Sequence, residues 1–340
     1  MKNDRITLAH GNGGKRTHEL INNIIKKLFS NNILDLLTDA AVLPLQSSST
    51  AGKIAFTTDS YVIDPVFFPG GDIGKLSVCG TVNDLSVMCA KPVYLSCGMI
   101  IEEGFLISDL IKIAKSMKSV LISTGVKLVT GDIKIVQKGA CDKIFINTSG
   151  IGIVTAGKEP DIQRIKPGDK IICSGTVGDH GIAVLSARNN FKFKSSVKSD
   201  CAPLYDMVNK LLTAGIIPKF MRDPTRGGIA TTLNELAENI PYGIVLEERQ
   251  IPVKKNVKGI CELLGYDLLY MANEGKIVFV VGRNLADKTI TLLKSHPAGK
   301  NANIIGEITA NNKHKVILKT GSYGTRVIDM LVNDQLPRIC

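Results

Sequence analysis

Residues 57–88 read TTDSYVIDPVFFPGGDIGKLSVCGTVNDLSVM, and this stretch decides the fold class. A β-rich run, KIAFTT at 53–58, predicts a strand that delivers Asp59 at its end. The Pro69-Gly70-Gly71 turn follows, and then a helix over 75–89 that carries Asn83 and Asp84. Working outward, the pattern predicts a strand over 93–101, a helix over 106–124 and a strand over 126–130 that ends in Gly131-Asp132-Ile133-Lys134. A strand over 143–152 closes the unit. Strands interleaved with helices in this way describe an α/β (α+β) domain with a mixed sheet.

On the N-terminal side, RITLAHGNGG at 5–14 passes from a short strand into a glycine-rich turn followed by Lys15, with an amphipathic helix expected through Lys27. Backbone N–H groups of such a turn can face a phosphate, and Lys15 adds positive charge. The spacing fits neither the P-loop nor the dinucleotide fingerprint, and a plain turn explains it as well. Gln46-Ser47-Ser48-Ser49-Thr50-Ala51-Gly52 reads as an exposed loop. On the C-terminal side, the charged, proline-bearing GKEPDIQRIKPG at 157–168 marks a domain boundary. The second unit opens with a strand over 170–174 and the turn GTVGDHG, which enters a helix over 182–188. His180 in that turn is either catalytic or a capping and packing residue. A lysine- and serine-rich loop (189–200) and a helix over 204–214 lead to DPTRGG at 223–228, directly before a helix over 229–238. Further strands are expected over 244–247, 276–281, 302–308 and 315–319, with a helix over 286–294. The expected domains are thus 1–156 and 168–332, with 333–340 as a mobile tail.

The apolar content of 44% and charged content of 21% suit a chain with a sizeable core, and no apolar run is long enough to span a bilayer. The start has no apolar segment of the secretory kind, so a cytoplasmic location is the expectation. The eight cysteines are scattered, without a Cys-x-x-Cys pair or matching histidine spacing, which argues against a structural zinc and for reduced thiols. A net charge of +11 favours anionic ligands, but the lysines are dispersed, aromatics are 5% and tryptophan is absent. That composition argues against a nucleic-acid partner.

Three aspartates sit at or near element ends: Asp59, Asp84 and Asp132. Together they suit Mg²⁺, which takes one or two carboxylates and fills its remaining positions from phosphates and water. Lys134, two residues beyond Asp132, lies on the same side of a strand. Arg226-Gly227-Gly228 opens a helix with free N–H groups and a planar cation, a phosphate grip or simply a capped start. Glu274, just before Gly275 and a strand, is a placed carboxylate. The run NDQLPRIC at 333–340 has neither period, and Pro337 interrupts both. It reads as a tether whose thiol, Cys340, can move between sites, or as a frayed end.

The stretches AHGNGGK, the 57–88 run, VTGDIKIV, GTVGDHG, SDCAPL, DPTRGG, ANEGK and LPRIC together resemble the hydrogenase maturation factors of the HypE type. These belong to the aminoimidazole-ribonucleotide-synthetase-like (PurM-like) superfamily, and the resemblance covers nearly the whole chain. The middle motifs mark the superfamily and the terminal PRIC the activity. The resemblance implies two α/β domains, a homodimer paired through the N-terminal sheet, ATP near that interface and Mg²⁺ on Asp59, Asp84 and Asp132. It implies an ATP-dependent S-carbamoyl-cysteine dehydratase. A carbamoyl group is loaded onto Cys340 by the carbamoyltransferase HypF and dehydrated to a thiocyanate. The cyanide passes to iron held by HypC and HypD, as a ligand of the [NiFe] centre. Asn83, Lys15, Arg226, Gly227 and Gly228 would serve nucleotide binding, and Glu274 or Lys134 would take the amide protons. Rival readings are a selenophosphate synthetase, which wants a reactive cysteine near the start where none precedes Cys79, and an amidine-forming purine enzyme, which has no use for PRIC.

Overall fold

The computed structural model describes residues 6–7, 10, 13–44, 53–155, 157–188, 195–331, 336 and 338–340. The loop expected at 46–52, Gly11 and Asn12 of the glycine-rich turn, residues 189–194, residues 333–335 and Pro337 lie outside the described residues. An N-terminal helical run comprises α1 (Lys15–Leu20), a π-helical turn (Ile21–Ile25) and α2 (Lys26–Phe29). The first sheet holds β1 (Ala41–Pro44) and β2 (Lys53–Tyr61); a small hairpin of β3 (Phe67–Phe68) and β4 (Gly71–Asp72) leads into α3 (Ile73–Val87). Then come β5 (Ala90–Glu102), α4 (Ile107–Thr124), β6 (Lys127–Val136) and β7 (Ile144–Val154). The order in the five-stranded sheet is β1-β2-β7-β5-β6, with β5 and β6 parallel and the other pairs antiparallel.

Helix α3 begins at Ile73, two residues earlier than the sequence suggests. Asp72 Oδ1 accepts from the N–H groups of Gly74 (2.8 Å) and Lys75 (3.1 Å), satisfying two donors of the first turn. It is apolar or small on nearly every face, from Leu76 and Val78 to Gly80 and Leu85, and is buried on nearly all of them. Such a helix has no solvent side. Helix α4 is one-sided, burying Ile113, Met117 and Val120 at helical spacing, and Gly125 ends it at φ 70°. Strand β6 runs on through Gly131, Asp132 and Lys134, where the sequence suggests the strand ends. Ile133, Ile135 and Val136 continue its β-branched pattern against β5. It is an edge strand exposed along almost its whole length, with Val129, Ile133 and Ile135 58%, 58% and 65% accessible.

The second domain holds β8 (Lys170–Cys173), α5 (Asp179–Ala187), α6 (Tyr205–Thr213), β9 (Phe220–Arg222), α7 (Gly228–Glu238), β10 (Gly243–Glu247) and α8 (Lys255–Leu264). These are followed by β11 (Val278–Val281), α9 (Ala286–Lys294), β12 (Asn303–Thr309), β13 (Val316–Lys319) and β14 (Thr325–Ile328). The seven-stranded order is β14-β13-β10-β12-β8-β11-β9, mixed because β10 and β13 run parallel. Strand β11 shows why the sheet is covered on both faces. Val278 and Val280 share a core with Ile229, Leu233 and Leu236 of α7, and Phe279 and Val281 share another with Met207 and Leu211 of α6 and Leu293 of α9. The short strands β9 and β14 hold too few residues to show a period, whereas α8 carries Val257, Ile260, Cys261 and Leu264 at helical spacing and adds a helix to those expected above.

The domains meet along α3. Val87 and Cys89 join the α6–α9 core, while Val78, Cys79 and Val82 share a core with Ile182, Val184, Leu336 and Ile339. The last residues of the chain are therefore packed between the two domains.

Candidate active site

Alternation along β2 turns Ala55, Thr57, Asp59 and Tyr61 toward α3. Tyr61 is 2% exposed, and its hydroxyl donates to Asp59 Oδ2 at 3.0 Å. Room for that hydroxyl comes from Gly80 on α3, where a Cβ would lie 2.1 Å from the Tyr61 oxygen. Thr57 Oγ1 lies 2.7 Å from Asp84 Oδ2 and 2.9 Å from the Asp39 carbonyl, tying strand, helix and the preceding loop together. Asp223, 6% exposed, comes to this corner from the second domain.

Burial raises all four carboxyl groups, and Asp39 adds to the rise of the other three. Burial pushes Asp84 well up, and the nearby Asp59, Asp223 and Asp39 push it further. Burial and then Asp39 lift Asp223 to about 8. Burial lifts Asp59, with Arg226 and the Tyr61 hydroxyl opposing, and lifts Asp39 against the pull of Arg222. Arg222 bonds Asp39 Oδ2 at 3.0 Å and also Glu235, and Glu235 holds His18 Nε2 at 2.9 Å. Mutual repulsion of oxygen donors, with no sulfur or imidazole among them, is the chemistry of a hard-cation site. Among the described residues no three acidic, histidine or cysteine side chains gather closely enough to hold an ion unaided. The donor set thus fits Mg²⁺ of the kind completed by phosphate and water.

Glu274 is 2% exposed, and its Oε1 has no hydrogen-bond partner among the described residues. Burial pushes its carboxyl well up, with Cys201 and Asp223 adding to the effect. Its backbone is held hard. Asp200 accepts from the N–H groups of Glu274 (3.2 Å) and Gly275 (3.1 Å), and pairs with Lys276 at 3.2 Å. A Cβ on Gly275 would lie 1.8 Å from the Asp200 carbonyl oxygen, so only glycine passes there. Asn83 is fully buried; its amide donates to the carbonyls of Ala202 (3.1 Å) and Glu274 (3.4 Å), and its oxygen accepts from Leu204 N–H at 2.9 Å. Every one of these Asn83 bonds crosses to the backbone of the second domain.

Arg226 precedes Gly227 and Gly228, which lie at φ 73° and 58° at the start of α7. The Arg226 guanidinium has its pKa raised, first by its electrostatic interaction with Cys340 and then, against burial, by Asp59 and Glu274. A Cβ on Gly13 would sit 3.2 Å from Arg226 Cβ, so Gly13 lies close against the arginine. Lys15 follows as an exposed residue at the start of α1, its N–H donating to Leu331 at 2.8 Å. The corner thus brings Asp59, Asp84, Asp223, Glu274, Arg226 and Cys340 together.

Asp132 and Lys134 are elsewhere in the chain. They share one face of β6, as their spacing requires, and pair with each other at 2.8 Å at 66% and 69% exposure. Strands β7 and β5 separate β6 from β2, so Asp132 stands roughly 14 Å from Asp59 by strand spacing alone. Residues that sequence reasoning passed over are Tyr61, Asp39, Asp223 and Asp200. Tyr61 was open to detection by its two-residue offset from Asp59, and Asp223 only as a helix cap. Asp39 carries no local signal.

Two mixed sheets, each with its own helices, and a carboxylate-lined corner between them define the two-domain fold of the AIR synthase related proteins. The sequence matches the N-terminal domain of that group over residues 37–154 and its C-terminal domain over 166–319. A carbamoyl dehydratase HypE from Bradyrhizobium diazoefficiens is 43% identical over 341 residues, spanning 100% of this chain and 97% of that protein. A solved HypE–HypF complex superimposes with TM-score 0.85 at 46% identity, covering 92% of this chain and 99% of the other. HypE in complex with ATP gives TM-score 0.81 at 43% identity, covering 99% and 100%. The chain belongs to the carbamoyl dehydratase HypE family of hydrogenase maturation proteins.

Proposed function

We propose that this chain carries a carbamoyl group on the Cys340 sulfur and dehydrates it with ATP to a protein thiocyanate, the cyanide donor for the iron of a [NiFe]-hydrogenase. The observation that carries this reading is that Cys340 stands within electrostatic reach of Arg226, in the corner that also holds Glu274, whose buried Oε1 has no hydrogen-bond partner among the described residues. An amide oxygen is a poor leaving group until it is phosphorylated. The carbamoyl oxygen takes the γ-phosphoryl group, an N–H proton leaves, and loss of phosphate with the second N–H proton closes the C≡N bond. Glu274 is placed to take those protons, since a carboxylate whose pKa is raised by burial is a stronger base once ionised. Mg²⁺ bound with the nucleotide would neutralise phosphate charge. Asp59 and Asp84 would hold it from within one chain. Arg226, Gly227, Gly228 and Lys15 would serve nucleotide binding, with the Gly228 N–H donating to the Thr225 carbonyl at 3.1 Å in this structure, and Asn83 would serve the site by fixing the backbone of Glu274.

Asp132 and Lys134 enter this reading through a homodimer. The exposed apolar length of β6 suits burial against a second copy, which would bring them to a neighbouring corner as a further Mg²⁺ ligand and an oxygen-polarising cation. Partners on this reading are HypF as carbamoyl donor, seen with a relative in a solved complex, and a HypC–HypD acceptor of cyanide. The setting is cytoplasmic; among the described residues no helix is long and apolar enough to cross a membrane.

Intact mass after incubation with HypF, carbamoyl phosphate, ATP and Mg²⁺ tests this. A gain of about 43 Da that becomes about 25 Da matches addition of HNCO and then loss of water. Cys340→Ala should show neither gain. A wild-type chain left unmodified by an active HypF overturns the reading, and leaves ATP-dependent phosphorylation of a small molecule on this scaffold.

A further inference from the structure

Each of the two aspartates assigned to Mg²⁺ has a carboxyl oxygen engaged by a hydroxyl of strand β2. The Tyr61 hydroxyl donates to Asp59 Oδ2 at 3.0 Å, and Thr57 Oγ1 lies 2.7 Å from Asp84 Oδ2. Both hydroxyls are fixed from several sides. Strand β2 pairs with β7 along its whole length, Lys53–Tyr61 against Ile146–Val154, so residues 57, 59 and 61 keep one face toward α3. Helix α3 lies hard on that face: a Cβ on Gly150 of β7 would meet Thr81 Cγ2 at 2.6 Å and Leu85 Cδ1 at 3.0 Å. The Tyr61 ring is buried and its hydroxyl fills the space over Gly80, so it has no room to swing. Thr57 is buried and β-branched, with a restricted χ1, and its hydroxyl also lies 2.9 Å from the Asp39 carbonyl. Asp39 Oδ2 in turn accepts from Arg222 Nε at 3.0 Å, which extends this anchor to the second domain.

A carboxyl free to turn offers a cation one oxygen or two, over a range of distances. Ca²⁺ accepts that freedom, since it takes about six to eight oxygens at about 2.3–2.6 Å in variable geometry. Mg²⁺ does not, because it demands a near-ideal octahedron at about 2.0–2.1 Å. We infer that Thr57 and Tyr61 are positioning residues that set the preference of this corner for Mg²⁺ over Ca²⁺, by locking the rotation of the Asp84 and Asp59 carboxyls. Both ions carry the same charge, so the crowded carboxyls by themselves attract either. The hydroxyls supply the part that tells them apart, a carboxyl geometry fixed before the cation arrives. The inference rests on the reading that Asp59 and Asp84 hold the Mg²⁺ of the nucleotide, and deepens it by naming what selects the ion. Neither hydroxyl has to touch the nucleotide or lose its proton.

Full-length wild type, Tyr61→Phe, Thr57→Val, Thr57→Ser and Asp84→Asn are titrated with β,γ-methylene-ATP by calorimetry, once with Mg²⁺ and once with Ca²⁺. The analogue does not pass on its terminal phosphoryl group, so the readout is binding and needs neither HypF nor turnover. Wild type should bind the Mg²⁺ complex more tightly than the Ca²⁺ complex. Tyr61→Phe and Thr57→Val should each bind the Mg²⁺ complex about tenfold or more weakly, yet stay within about threefold of wild type with Ca²⁺. Thr57→Ser keeps the hydroxyl and should keep the wild-type ratio of the two affinities. The Ca²⁺ affinity of each variant also reports that it is folded. Wild type without a preference for Mg²⁺ overturns the inference. A wild-type ratio in both Tyr61→Phe and Thr57→Val does the same, whether it comes from no loss or from equal loss with the two ions. Asp84→Asn that binds the Mg²⁺ complex like wild type overturns the assignment of the cation to this corner, and the inference with it, whatever the hydroxyl variants show.

Discussion

Asp84 and Asp132 belong to one domain and were read from the sequence as one metal site, yet the structure gives them opposite environments. Asp84 is pressed between strand and helix, bonded to Thr57 and pushed well up by burial and three neighbouring carboxylates. Asp132 stands on an open edge strand with its carboxyl held down by the Lys134 ammonium beside it. One region stores electrostatic demand for a cation inside a single chain. The other is an ordinary solvated ion pair, of little energetic consequence until something covers it. The crowding in the pocket is therefore a property of the fold, whereas any role for Asp132 and Lys134 on β6 would depend on assembly.

The largest effect should separate the two candidate bases. Glu274→Gln keeps the shape of the buried side chain but cannot take a proton, so dehydration of the loaded chain should fall by about 10²–10⁴-fold. Loading by HypF should persist. Single-turnover loss of water, followed by intact mass, reads this directly. If Glu274→Gln still dehydrates within a few-fold of wild type while Lys134→Ala stops, the base stands on the edge strand and the comparison is reversed.

A smaller effect should follow from placing charge on the open edge. Ile133→Lys with Ile135→Lys disrupts the exposed apolar row without touching the pocket. Sedimentation should show dissociation of the dimer, and ATP-dependent dehydration should fall roughly tenfold as Asp132 and Lys134 lose the neighbouring corner. Unchanged activity from a demonstrated monomer would confine the whole site to one chain and leave Asp132 and Lys134 as surface residues.

The α/β class, the two units and most helices were legible because amphipathic and β-branched periods persist over enough residues to show. Asp59, Glu274, Arg226 and Cys340 stand out in the sequence, and the structure brings them to one corner. Two things were not legible. Depth was invisible: Asn83 and Asp84 are sequence neighbours, but the helical step between them sends Asn83 into the second domain and Asp84 toward β2. Strand length misled as well. Because Gly131 and Asp132 look like a turn, the sequence suggests β6 ends there, whereas pairing with β5 carries it through Val136. The docking of Ile339 is set by distant contacts from α5 and the segment after β2, which no local pattern records.

The smallest expected effect is thermodynamic and tests the buried half of the comparison alone. Asp223 has its folded pKa raised to about 8 from an ordinary 3.8. The folded state therefore binds more protons than the unfolded state between those values. Its contribution is fully present below about pH 4 and is lost as pH climbs through about 8. Asp200 works the other way: its carboxyl is held low despite burial, chiefly by Lys276, so its contribution is lost as pH falls below the usual carboxylate range. Stability without divalent cations should then peak near pH 5, and the melting temperature should drop by roughly 5 °C toward pH 8. Asp223→Asn, neutral throughout, should remove part of that slope. Mg²⁺ with ATP should flatten it further, because a bound cation replaces the protons that the crowded carboxylates otherwise hold. A slope identical in wild type and Asp223→Asn would show that Asp223 stays ionised in the folded protein, and would move the crowding onto Asp59 and Asp84.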